Sequence, residues 1–221
     1  MKQGKTLCRR CRLAPPPFEK AVSFAPYDGR MREALHELKF ERRRSTAVRL
    51  AAMLAGAIAQ LEDEAPSEML VVPVPLHRSR QRVRGFNQTR LLAVRALDLL
   101  ARSHPRWKLT LTPQALVRTR STASQAQLSP HGRRVNLRGA FRVPDAALVA
   151  DRDVLLLDDI LTTTATARMA AAALRQAGAK SVWVATVARA RQMSYEAPAE
   201  EAGKNDHADM QDMHSYHQPS S

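Results

Sequence analysis

Acidic residues are few ahead of residue 194, aromatic residues are few everywhere, and cysteine occurs twice. From Ser194 onward six acids (Glu196, Glu200, Glu201, Asp206, Asp209, Asp212) and one lysine, Lys204, give −5; the 221-residue chain is +14, so residues 1–193 carry +19. That surplus suits a nucleotide-like substrate, nucleic acid, or both. Composition accounts for part of it, since arginine outnumbers lysine 28 to 7 and alanine is abundant, as in a GC-rich genome. Aromatic side chains make up 5% of the chain, so no platform for stacking bases is evident. Contact with nucleic acid would then fall to arginines on the backbone phosphates. No apolar run is long enough to span a bilayer. The N-terminus is polar and basic and lacks the apolar core of a signal peptide, so the expectation is a cytoplasmic protein without membrane insertion. Cys8 and Cys11 do not complete a zinc site, which takes four ligands, and a reducing compartment disfavours a disulfide between them.

The most informative segment is Val154-Leu155-Leu156-Leu157-Asp158-Asp159-Ile160-Leu161-Thr162-Thr163-Thr164-Ala165-Thr166. Four apolar residues in a row read as a strand buried on both faces, ending at the two carboxylates. The Ala-rich stretch from Ala167 to Ala177 follows with helical spacing, closed by Gly178. A loop that opens a helix offers free backbone N–H groups and the positive end of the helix dipole to an anion. Thr162, Thr163 and Thr166 add hydroxyl donors. Asp158 and Asp159 repel that anion and suit hydroxyls or a cation beside it. A sugar carrying a phosphate at one end meets both demands. Simple helix capping would need one side chain at the helix start, not two carboxylates three residues upstream.

A second strand-loop-helix unit surrounds Pro73-Val74-Pro75-Leu76-His77-Arg78-Ser79-Arg80-Gln81-Arg82-Val83-Arg84-Gly85-Phe86-Asn87-Gln88. The prolines stop a strand running from Met69 to Val74. Arginines then occupy every second position, and an extended backbone would put them on one side as an anion site. A solvated basic loop is the alternative on charge alone.

Elsewhere the pattern predicts a short strand from Ala21 to Pro26, a helix from Arg30 to Phe40, and a second helix capped by Ser45 and reaching Leu61. Gly85 to Ser103 reads as helix, Trp107 and Leu109 as the start of a strand, and Ser181 to Arg189 as another strand. Thr119 to Asn136 is polar and Arg-rich, a loop or hood. Alternating strands and helices argue for an α/β fold with a parallel twisted sheet flanked by helices. No internal repeat is visible. The domain reading is a Cys-containing lead-in over residues 1–19, an α/β domain over 20–193, and a disordered acidic tail over 194–221. In that tail His207, His214 and His217 are too irregularly spaced for a metal site.

The string around Asp158 and Asp159 resembles the phosphoribosyl-pyrophosphate (PRPP) motif of type I phosphoribosyltransferases. Further blocks resemble the ComF family of competence-associated, phosphoribosyltransferase-like proteins. They are Leu38-Lys39-Phe40; Pro73 to His77 with Arg84 to Gln88; Leu116 to Arg120 with Gln125 and Leu128; and Arg133, Asn136 and Gly139 to Phe141. Together with the PRPP motif they cover about residues 7 to 189, in the family's order.

The resemblance implies a type I phosphoribosyltransferase-like fold, PRPP with Mg²⁺ as ligand, and transfer of the phosphoribosyl group to an acceptor that no motif identifies. It assigns Asp158 and Asp159 as the catalytic pair on the ribose hydroxyls, in the neighbourhood of Mg²⁺. The 5-phosphate goes to Thr162, Thr163, Thr164, Ala165 and Thr166, and the pyrophosphate to Pro75, Leu76, His77 and Arg84. The segment 119–136, with Arg133 and Arg134, would close over the site. The family commonly starts with two Cys-x-x-Cys pairs forming a zinc finger, and only the pair Cys8 and Cys11 is present here: either the first pair lies upstream of a misassigned start, or it has been lost and the lead-in is a remnant, so zinc is doubtful. The family usually has glycine at the position of Thr164. Either the loop keeps ordinary angles and Thr164 donates its hydroxyl, or PRPP affinity is weakened. The resemblance also implies single-stranded DNA and the competence machinery as partners, which leaves open a DNA-handling factor without turnover. Homo-oligomerisation is open as well.

Overall fold

The computed structural model describes residues 9–40, 44–119 and 139–190. A short helix α1 (Arg9–Leu13) precedes β1 (Ala21–Pro26), α2 (Gly29–Phe40) and α3 (Arg44–Ala59). Next come β2 (Glu68–Pro73), α4 (Arg78–Arg84), α5 (Gln88–Ser103) and β3 (Lys108–Leu111). A two-stranded antiparallel ribbon pairs β4 (Val117–Arg118) with β5 (Phe141–Arg142). The chain then forms β6 (Asp153–Leu161), α6 (Ala165–Gln176) and β7 (Ser181–Arg189).

Five strands make one all-parallel sheet in the order β1-β7-β6-β2-β3. The apolar run at its centre is explained by burial on both faces. Leu155 and Leu157 join Val71 and Trp183 in a core with Leu35 and Leu38 of α2, Leu54 of α3 and Leu92 of α5. Val154 and Leu156 turn the other way, into a core with Leu70, Val72 and Val184. There the small residues Ala167, Ala170 and Ala171 of α6 lie against the sheet. Arg168, in the first turn of α6, donates to the carbonyls of Ala14 and Pro15 and ties the lead-in to that helix.

The chain leaves β2 through α4 and α5 toward β3, and leaves β6 through α6 toward β7, in the opposite direction across the sheet. The two outward paths run over opposite faces, since α5 and α6 belong to different cores. A crevice therefore opens between the carboxyl ends of β2 and β6. This is a topological switch point, where ligands of open α/β sheets collect.

Three sequence expectations change. The strand carrying the acidic pair does not end there: β6 continues to Leu161, because its ladder with β7 persists to the Leu161–Arg189 pair. On its other side the pairing with β2 ends at Pro73–Leu157, leaving the acidic pair beside the crevice. The arginine segment is not extended. His77 caps a helix over Arg78–Arg84, and Gly85 ends it in the left-handed region at φ 74°. Positions two apart on a helix turn by about 200°, so the four arginine positions share no single side. A separate helix then starts at Gln88, with Asn87 as its cap. Finally, Ser45 lies inside α3, which already includes Arg44. The hood with Arg133 and Arg134, the acidic tail and Cys8 lie outside the described residues, as do the side chains of Arg78, Arg80 and Arg84.

Candidate functional site

Asp158 and Asp159 occupy successive positions of β6, so their side chains leave opposite faces of the strand. Asp159 follows Leu155 and Leu157 onto the α2/α5 side and is 7% exposed. There the Lys39 ammonium, at the end of α2, lies 2.8 Å from its Oδ2. Gln88 Nε2, at the start of α5, donates to the same oxygen at 3.3 Å. Asp158 is half-buried, and its Oδ1 accepts the backbone N–H of Asp159 at 2.9 Å.

The two carboxyls titrate in opposite directions. Burial, then the Asp159 charge, pushes Asp158 well above the ordinary carboxylate range, against the Asp159 N–H and Lys39. Burial would raise Asp159 too. The Lys39 charge and hydrogen bonds from Lys39, Gln88 and Asp158 outweigh it, and Asp159 titrates below its ordinary value.

The threonine loop follows directly. Thr162 is exposed, Thr163 and Thr166 are half-buried, and Ala165 is buried. Thr163 Oγ1 is fully enclosed and has no hydrogen-bond partner among the described residues. Thr164 takes φ 62° and ψ 0°, and its side chain makes no capping bond. The loop thus does not keep ordinary angles: Thr164 adopts the left-handed geometry that favours glycine, at a cost of about 1–2 kcal/mol. No acidic residue occupies the first turn of α6, so its positive end faces no charge of its own.

At the end of β2, Val74 N–H donates to the Leu157 carbonyl at 2.8 Å, which brings the next segment beside β6. Pro75, Leu76 and His77 are half-buried. His77 Nδ1 accepts from the Ser79 N–H at 3.2 Å and bonds to Ser79 Oγ at 2.8 Å, so this nitrogen is committed to the cap. Asn87 closes the excursion, donating to the Val74 carbonyl at 3.1 Å. The backbone at Arg84 ends α4, on the far side of that excursion.

The structure therefore gathers the acidic pair, the threonine loop and the 75–77 turn around one crevice. It adds Lys39 and Gln88, which stand in blocks that carry the family resemblance but had been assigned no place in the site. Lys39 ends an amphipathic helix whose Leu35 and Leu38 are buried, and a lysine one step past such a stripe was the available signal. Gln88 is 3% exposed, and a buried glutamine needs partners. Two cavities flank this node. One of about 740 Å³ is lined by Leu38, Phe86, Asn87, Arg90 and Arg95 among others. The other, about 660 Å³, is lined by Tyr27, Arg32, His36 and Lys39 among others.

No group of three or more His, Cys, Asp or Glu side chains among the described residues forms a metal site by itself. Asp158 and Asp159 are the oxygen donors that would hold Mg²⁺, which takes one or two carboxylates from protein and the rest from water and phosphate oxygens. Cys11 is a free thiol. No helix among the described residues is long and apolar enough to cross a membrane.

No protein-family model matches the chain. It is 34% identical over 180 residues to the DNA utilization protein YhgH of Escherichia coli K12, covering 80% of this chain and 75% of that protein. It is 29% identical over 187 residues to Competence protein F of Haemophilus influenzae, covering 83% and 78%. Among solved structures, a glutamine PRPP amidotransferase from B. subtilis is 20% identical at a TM-score of 0.38, over 63% of this chain and 25% of that one. A hypoxanthine phosphoribosyltransferase from Staphylococcus aureus is 16% identical at a TM-score of 0.36, over 63% and 62%.

Proposed function

The chain belongs to the ComF family, alongside DNA utilization protein YhgH and Competence protein F, and from that premise we propose that it binds PRPP with Mg²⁺ and transfers the phosphoribosyl group. The observation that carries this reading is the enclosed Thr163 hydroxyl, without a hydrogen-bond partner among the described residues, in a helix-opening loop just after the acidic pair, at the switch point of the sheet. A buried hydroxyl without a partner costs about 1–3 kcal/mol, and a phosphate oxygen would satisfy it.

In this reading the 162–166 loop holds the 5-phosphate with backbone N–H groups and threonine hydroxyls. Asp158 and Asp159 orient the ribose through its hydroxyls, and the 75–84 segment faces the pyrophosphate. Asp158 and Asp159 are the residues that would hold Mg²⁺, which when bound would make pyrophosphate a better leaving group. Positive charge develops at the anomeric carbon as the bond to pyrophosphate breaks, and the carboxylate charge beside the ribose stabilises it. The protein's part is positioning and charge.

Calorimetry with PRPP and Mg²⁺ tests binding. The double substitution Asp158→Asn, Asp159→Asn should abolish it in a protein that stays folded; unchanged affinity would reject the assignment. A phosphoribosylated product, detected by mass spectrometry after incubation with PRPP, Mg²⁺ and a metabolite extract, would establish turnover.

A second reading rests on charge and on the relatives' names. The +19 of residues 1–193 and kinship to DNA-utilization and competence proteins favour a factor that handles single-stranded DNA, which uses the PRPP site for regulation or keeps only the fold.

A further inference from the structure

Asp159 is already occupied. Its Oδ2 receives both Lys39 at 2.8 Å and Gln88 at 3.3 Å, so a sugar hydroxyl finds that oxygen taken. Gln88 begins α5 directly after the 75–87 excursion, which Asn87 pins to Val74. Lys39 and Gln88 thus share one carboxylate oxygen, and Gln88 lies just beyond the segment that the PRPP reading gives to pyrophosphate. The Lys39 side chain keeps 20% exposure and borders the cavity of about 660 Å³, so the ammonium has room to move on its flexible stem.

We propose that Lys39 is the pyrophosphate-selective cation of this site: it neutralises Asp159 in the free protein and transfers to the pyrophosphate of a bound phosphoribosyl ligand, leaving an Asp159 oxygen for a ribose hydroxyl. The inference rests on the PRPP reading and deepens it, since it states what separates PRPP from ribose 5-phosphate. Both ligands carry the 5-phosphate and the hydroxyls; only PRPP carries a group able to take the ammonium. Exchange of one anionic partner for another keeps the lysine paired, and Gln88 continues to bond Asp159.

The test compares calorimetric affinities for PRPP and for ribose 5-phosphate, each with Mg²⁺, in wild type, Lys39→Met and Lys39→Arg. A charge-assisted contact made to PRPP alone predicts that Lys39→Met weakens PRPP by about 10- to 100-fold. Ribose 5-phosphate affinity should stay equal or improve, and Lys39→Arg should recover most of the PRPP affinity. Equal losses for both ligands would make Lys39 a mere prop for Asp159 and overturn the inference, as would a silent Lys39→Met. Wild-type protein that binds neither ligand would overturn the PRPP reading itself, and this inference with it. Carboxyl NMR on the wild type needs no variant to fold: the Asp159 signal should move more with PRPP than with ribose 5-phosphate, and equal movement would count against the transfer.

Discussion

Lys39 Nζ sits 2.8 Å from Asp159 Oδ2 and joins the end of α2 to the central strand, 120 positions apart in the chain. Both side chains are largely buried, at 20% and 10% exposure. Removing one partner of such a pair leaves the other desolvated and uncompensated. Lys39→Met should therefore lower stability by about 3 kcal/mol, while the double variant Lys39→Met, Asp159→Leu should recover much of that loss. Urea unfolding of the four proteins in the cycle checks both; additive losses would mean that the pair is not coupled.

Stability should respond to pH through the acidic pair in two separate windows. Asp159 is depressed in the fold, so its contribution is present above its unfolded pKa and is lost as pH falls through the lower folded value. Asp158 is raised, so its contribution is complete below the unfolded pKa of about 3.9 and is lost as pH rises through the higher folded value. Asp158→Asn should remove the decline above pH ~4 and leave the acid limb in place. Chemical unfolding across pH reads both limbs. An unchanged decline in the Asn variant would contradict this assignment.

Thr164→Gly should stabilise the protein by about 1 kcal/mol, because glycine takes φ 62° without the Cβ clash and no capping bond is lost. PRPP affinity should tighten as the backbone gains room to approach the phosphate. Thermal unfolding and calorimetry give the two answers. A clear loss of affinity would show that the Thr164 hydroxyl donates to the ligand.

Thr163→Val keeps the shape and deletes a hydroxyl that has no partner among the described residues. The free protein should gain about 1 kcal/mol, while affinity for PRPP falls about tenfold, since valine cannot donate to phosphate. Gain of stability with loss of binding is the signature of a group kept for a ligand. Loss of both would mean that Oγ1 has a partner within the protein.

The +19 charge of residues 1–193 predicts weak binding of single-stranded DNA with little sequence preference. Affinity should fall with salt at a log–log slope of about −0.7 per phosphate contact. Truncation after Arg191 removes the acidic tail and should raise affinity, most at low salt where screening is least. Fluorescence anisotropy with a labelled oligonucleotide across a salt series decides. No binding by the truncated protein at low salt would reject the DNA role.

The β6-α6-β7 unit was legible in the sequence because its signals are local. Val154 to Leu157 face two cores and leave an unbroken apolar run, and the alanines of α6 repeat at helical spacing. The motif of two acids and three threonines is contiguous, so it could be read without a fold. The arginine segment departs from its expected extended form for an equally local reason. Alternate arginines imitate an extended strand, whereas His77 as cap and Gly85 as stop specify one short helix. The end of β6 was misplaced because its last residues are held by β7, a partner more than twenty positions away.

Local pattern alone was enough for the alternation of strands and helices, the chemistry of Asp158, Asp159 and the threonine loop, and the resemblance that pointed to the family. Tertiary structure decided which carboxylate is paired and which is not. Lys39, Gln88 and Asp159 lie on three separate elements, and only the stacking of α2 and α5 on one face of the sheet brings them within hydrogen-bonding reach. It also decided the left-handed turn at Thr164 and the enclosure of the Thr163 hydroxyl. Strain and desolvation belong to packed geometry: they arise from what surrounds an atom, and a linear string of residues does not contain that information.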